Sequence, residues 1–107
     1  MTHRYSLVVS LWIRAGQEEA FEAFEREAAE RMARHGGRID AAVRTAPKDV
    51  ATGPGEATAY EVHIVSFPDK AAADAYANDP ETLAAREARA GIISLTMVVP
   101  GRAAGPY

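Results

Sequence analysis

The pattern of apolar and polar residues predicts an α+β chain of 107 residues with the element order β-α-β-β-α-β. Three observations carry this prediction. Four short segments rich in Val, Ile, Leu and aromatic residues have strand length. The stretch between the first and second has apolar residues at steps of three and four, the spacing of one helix face. The Ala-rich stretch before the fourth contains Pro-Asp and Asp-Pro steps, which start helices.

Residues Tyr5 to Ile13 concentrate Val, Leu, Ile and Trp and predict the first strand, which Gly16 ends. From Gln17 to His35 the spacing is helical, with Phe21, Phe24, Ala28 and Met32 on one face. The other face reads as a solvated lattice of Glu and Arg, including Glu22 with Arg26 and Glu27 with Arg31 at i, i+4. Gly36-Gly37 stops this helix, because glycine takes the left-handed cap conformation at little cost.

Arg38 to Thr45 alternates with period two and predicts a second strand. Pro47 to Thr58, with Gly53-Pro54-Gly55, predicts a loop. Ala59 to Phe67 is the clearest strand of the chain. Asp69 is the N-cap candidate of the helix that follows, with Ala72, Ala73 and Tyr76 available for packing. Asn78-Asp79-Pro80 interrupts it, and a fresh helical piece runs to about Ala90. Ile92 to Val99 is the fourth strand, followed by a polar tail. Two βαβ halves joined by a hairpin define the ferredoxin-like arrangement, a four-stranded antiparallel sheet with its helices on one face.

Composition narrows the function classes. The absence of cysteine excludes a disulfide scaffold, a zinc ribbon and a thiol nucleophile. A formal charge of −3 argues against nucleic acid as a partner, since that binding rests on clustered Lys and Arg. The longest nearly apolar run, Leu7 to Ile13, is about a third of a membrane span. No secretory signal is visible, so one soluble cytoplasmic domain over residues 1–107 is expected, with a tail from residue 99. Abundant alanine keeps burial per residue low and favours a second copy as cover for the free sheet face.

The segment from Tyr60 to Asp69, a strand ending in Phe67-Pro68, with its Ala-rich helix and Asn78-Asp79-Pro80-Glu81, resembles the dimeric α+β barrel superfamily. The likeness is greatest to its small uncharacterised bacterial proteins, and the antibiotic-biosynthesis monooxygenases are relatives by fold. This resemblance implies a homodimer in which two sheets pack face to face around a cavity. The sequence shows no nucleotide, flavin or metal-ligand motif, so any chemistry is expected to need no such cofactor. The superfamily it resembles spans monooxygenases, isomerases, cyclases, haem enzymes and proteins without known chemistry.

Strand alternation sorts the residues between two faces. Tyr5, Leu7, Val9, Leu11 and Ile13 suit the helices, as do Tyr60, Val62, Ile64 and Ser66, and Ile93, Leu95, Met97 and Val99. That leaves a mixed face with Ser10, Trp12, Arg44, Glu61, His63 and Phe67, joined by Asp40, Ser94 and Thr96. An aromatic wall with a few hydrogen-bonding groups is the chemistry of a small-molecule pocket.

Mid-strand His63 stands two positions from Glu61 on the same side, so the carboxylate can orient the imidazole. In one reading His63 is a general base toward a phenol or an activated C–H, with Glu61 as its orienter. Trp12, Phe67, Arg44 and Ser10 then form the ligand pocket for an apolar or aromatic metabolite. In the other, the same face is filled at a dimer interface, and Glu61 pairs with Arg44 or Arg38. A regulatory ligand-binding domain is a third class, but no helix-turn-helix accompanies it. His3 and His35 add no metal-ligand spacing, and Gly53-Pro54-Gly55 lacks that of a phosphate loop.

Overall fold

Val, Leu and Ile in alternation extend the chain over Tyr5–Ile13 as β1. The structure is a computed structural model that describes residues 3–54 and 58–107. Helix α1, Glu18–Ala33, opens with Glu18 and Glu19 in its first turn, where negative charge suits the helix dipole. It ends on Gly36 at φ +73°, a left-handed conformation that glycine adopts freely. Strands β2, Arg38–Arg44, and β3, Glu61–Phe67, form the hairpin. Among the described residues between them is a 3₁₀ turn at Pro47–Asp49. Part of the predicted loop, 55–57, lies outside the described residues.

Helix α2, Lys70–Ala77, is capped by the Asp69 carboxylate, which accepts from the Ala72 N–H at 2.8 Å. Asp79 caps α3, Pro80–Ala84, in the same way through the Glu81 N–H, with Pro80 at the first helical position. Helix α4, Arg86–Ile92, leads directly into β4, Ile93–Gly101. Strand β4 therefore continues two residues into the segment read as tail, where Pro100 pairs with Leu7 on the sheet edge.

The strands form one antiparallel sheet in the order β2-β3-β1-β4, the ferredoxin-like topology. Residues directly opposite in an antiparallel pair share a face. Register thus groups Leu7 with Val65, Val9 with His63, and Leu11 with Glu61 on the helix side. Two clusters make the core there. Leu11, Phe21 and Ile93 form one, and Met32, Val65 and Phe67 the other.

Two expectations are corrected by this arrangement. The first is the dimeric α+β barrel. The sheet is open, with β2 and β4 as its two edges, and it does not close into a barrel. The homodimer, expected from the alanine-rich composition and the resemblance, loses its footing with the barrel: Glu61, His63 and Phe67 are buried inside one chain, between sheet and helices, with no second copy over them. The second is the sorting of β3 and β4. Glu61, His63, Val65 and Phe67 turn toward the helices, whereas Leu95, Met97 and Val99 lie on the open face and are more than half exposed. An irregularity between Trp12 and Ile13 shifts the β1–β4 register, so Ile93 and Thr96 both reach the helix side.

Candidate functional site

Between the sheet and the helices lies a cavity of about 430 Å³. Its floor is Leu7, Val9, His63, Val65, Thr96 and Val98 of the sheet. Helix α1 supplies Phe24, Glu25, Ala28, Arg31 and Met32, and α2 supplies Ala73 and Tyr76. Thr82, Arg86 and Arg89 of α3 and α4 complete the wall. The volume lies within the range of about 300–1,000 Å³ usual for small-molecule sites, and the lining is mainly apolar with a few converging polar groups.

His63 is the most enclosed titratable group here, at 3% exposure. Its Nε2 lies 2.6 Å from Oε2 of Glu61, two residues earlier on the same strand face. The other Glu61 oxygen, Oε1, accepts from Arg44 Nη2 at 2.9 Å and Nε at 3.1 Å. Register puts Arg44 directly opposite Glu61, so the pairing follows from the hairpin itself. Arg44 is steadied in turn by Glu22 at 3.2 Å and by the Tyr60 ring, 4.9 Å below its guanidinium carbon. This chain of contacts presents a charged carboxylate to Nε2 and directs Nδ1 of the ring elsewhere.

Nδ1 looks toward Glu25, whose Oε2 is 3.9 Å away, too far for a hydrogen bond. Burial pushes the Glu25 carboxyl above its ordinary range, against the opposing pull of His63 and Arg89. Glu25 therefore holds a proton more readily than a surface carboxylate does. Burial likewise raises the Tyr76 hydroxyl. Arg89 Nη2 donates to Thr96 Oγ1 at 2.5 Å, tying α4 to the sheet. A second, more open depression of about 270 Å³ lies on the β2 side of His63, lined by Ala42, Arg44 and Glu61.

Of the residues singled out in the sequence, His63, Glu61, Arg44 and Phe67 come together on the helix side. Phe67 lines the cavity at 1% exposure, and Arg44 reaches it only through Glu61. Ser10 and Trp12 do not join them. They pair with Met97 and Leu95 on the opposite, open face. Asp40 pairs with Arg38 at 2.7 Å. His35 is committed to Asp79 at 2.8 Å, a bond that holds the Asp79 carboxyl below its ordinary range. Among the described residues no cluster of three His, Asp or Glu side chains could hold a metal ion. No helix there is long and apolar enough to cross a membrane.

Glu25 and Arg31 were hidden in the Glu/Arg lattice of α1. At about 100° per residue, Glu25 lies about 20° beyond Met32 at one edge of the apolar arc, and Arg31 about 20° beyond Phe24 at the other. A helical projection of the whole face would have found both.

Fold and pocket together define a ferredoxin-like α+β protein with a half-enclosed, mainly apolar cavity beneath its helices. The family model described as "Domain of unknown function (DUF1330)" matches residues 7–101, and the chain belongs to this family. No curated protein matches the sequence. Among solved structures, a protein of unknown function from Rhodopseudomonas palustris is similar at 18% identity and a TM-score of 0.83, over 99% of this chain and 86% of that one. A nipsnap family protein of unknown function from Agrobacterium tumefaciens has 18% identity and a TM-score of 0.69, over 99% and 93%. A Nitrosomonas europaea protein provisionally described as an antibiotic biosynthesis monooxygenase has 18% identity and a TM-score of 0.71, over 99% and 95%. These likenesses establish the shared fold.

Proposed function

We propose that the chain binds a small apolar or aromatic metabolite in the cavity between sheet and helices, and that His63 accepts a proton from it. The observation that carries this reading is the ordered series Arg44–Glu61–His63 ending at the wall of a cavity of about 430 Å³. With Nε2–H donated to the ionised Glu61 carboxylate, neutral His63 keeps its free electron pair on Nδ1. A phenol or an activated C–H placed against Nδ1 loses its proton to the ring. Glu25 is placed to take up or return that proton, because its buried carboxyl is inclined to hold one.

Phe67 and Phe24 offer flat apolar walls to the ligand, and Arg44 acts by holding the Glu61 carboxylate in place. Ser10 and Trp12 have no part in this pocket. The reaction classes that fit are those that begin with deprotonation: oxygen insertion into an activated phenol, isomerisation and cyclisation. The described relative from Nitrosomonas europaea supports the first of these by analogy of fold alone.

The test is a screen of quinol and aromatic polyketide-like substrates in the presence of oxygen, run on wild type and His63→Ala. Turnover reduced by about 10²-fold or more in the variant, as expected for loss of a general base, supports the role of His63. Equal turnover in the two removes His63 from the mechanism.

A further inference from the structure

The cavity wall holds a cation that the proton-transfer reading does not use. Arg31 is only 8% exposed, and its Nε has no hydrogen-bond partner among the described residues. A second buried polar atom without a partner, Thr82 Oγ1, lines the same cavity from α3. The Tyr76 hydroxyl lies within reach of the same guanidinium but leaves Nε unsatisfied, and a buried N–H without an acceptor is costly unless something arrives to satisfy it. The surrounding carboxylates are already committed. Glu61 is held by Arg44 and His63, Asp79 by His35, and Glu81 by Arg34.

The remaining carboxyl on this wall, Glu25, is influenced by Arg31 less than by His63, Arg89 or Glu61. The Arg31 guanidinium instead lies over the Phe24 ring, 5.9 Å from its centre. That contact sits on one side of the group and leaves its Nε–H edge free for recognition.

We propose that Arg31 and Thr82 form a carboxylate-recognition subsite, so that the ligand is a small organic acid whose apolar body fills the rest of the cavity. The proposal rests on the cavity reading above and names its substrate class. A carboxylate has two acceptor oxygens, which satisfy the guanidinium edge and the threonine hydroxyl together. Its charge compensates Arg31. The apolar body lies along Phe67, Val65 and Leu7 and brings the atoms next to the acid group toward His63.

Matched acid and amide pairs test this directly: benzoate against benzamide, and 3-phenylpropionate against 3-phenylpropionamide, titrated calorimetrically into the intact chain. The amide keeps shape and loses charge. Wild type is expected to bind the acid at least about tenfold more tightly than its amide, since charge-assisted bonds are the stronger kind. Arg31→Met should erase that preference by weakening acid binding more than amide binding, whereas His63→Ala should preserve the preference.

Equal binding of acid and amide by wild type overturns the subsite and leaves the cavity standing. A preference that survives Arg31→Met overturns it as well, transferring the recognition to Arg86 or Arg89. Failure of both members of both pairs to bind overturns the cavity reading and the subsite with it. A readout that needs no variant is the Arg31 Nε–H resonance of wild type. It should shift on addition of the acid and not of the amide, and a resonance unmoved by a bound acid counts against the proposal.

Discussion

Glu61 and His63 face the same side of β3, two residues apart, with 2.6 Å between Oε2 and Nε2. Strand alternation puts an i, i+2 pair on one face within side-chain reach, and the hydrogen bond between the two then orients the imidazole. With Arg44 fastened to the other oxygen, the carboxylate is the fixed point and the ring is the adjustable one.

The tautomer of His63 follows from that relationship. Neutral His63 should carry its proton on Nε2 and show the corresponding pair of ¹⁵N shifts in a long-range correlation spectrum of the labelled protein. Glu61→Gln should disturb this selection, because the amide presents a donor as well as an acceptor. An Nδ1–H tautomer in wild type would contradict the geometry.

Glu25 makes stability depend on pH in a definite direction. Its carboxyl is raised above the ordinary 4.5 by burial, so the folded chain keeps a proton that the unfolded chain releases first. Stability then falls as pH rises through the window just above 4.5 and levels off beyond the folded-state value. Glu25→Gln removes this contribution. The difference between wild-type and variant urea midpoints should grow in favour of the variant across that window. A difference that does not change with pH would refute the assignment.

Gly37 is required by close packing. A Cβ there would collide with Met32 and with the Phe67 ring. Gly37→Ala should cost about 1–3 kcal/mol, the range for overpacking a filled core. Gly91, in α4, has nothing within 4 Å of a built Cβ, and Gly91→Ala should be neutral or stabilise by about 0.5 kcal/mol. Equal effects at the two positions in denaturant melts would refute the packing argument.

Asp69 holds the entry to α2 through one bond to the Ala72 N–H. Asp69→Ala should lower stability by about 1 kcal/mol, and Asp69→Ser should restore most of the loss, because a hydroxyl caps as well. Chemical denaturation of the three proteins measures both effects. A serine variant as unstable as the alanine one would place the role of Asp69 elsewhere.

Much of the fold was legible because each element carries local signals. Phe21, Phe24, Ala28 and Met32 declare a helix by spacing, Asp69 and Asp79-Pro80 declare two starts, and Gly36-Gly37 declare a stop. The site was legible only in part. Alternation puts His63, Glu61 and Phe67 on one face with Arg44 opposite Glu61, but that face turns toward the helices and not away from them. On β3 both alternating sets mix apolar and polar residues: Val62 and Ile64 with Ser66, against Val65 and Phe67 with Glu61 and His63. Alternation alone therefore does not decide which set turns inward. Glu25 and Arg31 stayed hidden because charge on a helix ordinarily marks its solvated side.

By itself, the sequence determined the β-α-β-β-α-β order and the helix caps. These depend on contacts a few residues apart, which composition and spacing encode directly. Tertiary structure alone decided that the sheet remains open, that β3 turns His63 toward the helices, and that Glu25 and Arg31 close a cavity over it. Those outcomes depend on cross-strand register and on which helix face meets which sheet face. Both are set by the fit of Met32, Val65, Phe67, Leu11 and Phe21 into one core, a property of the assembled chain and of no segment within it.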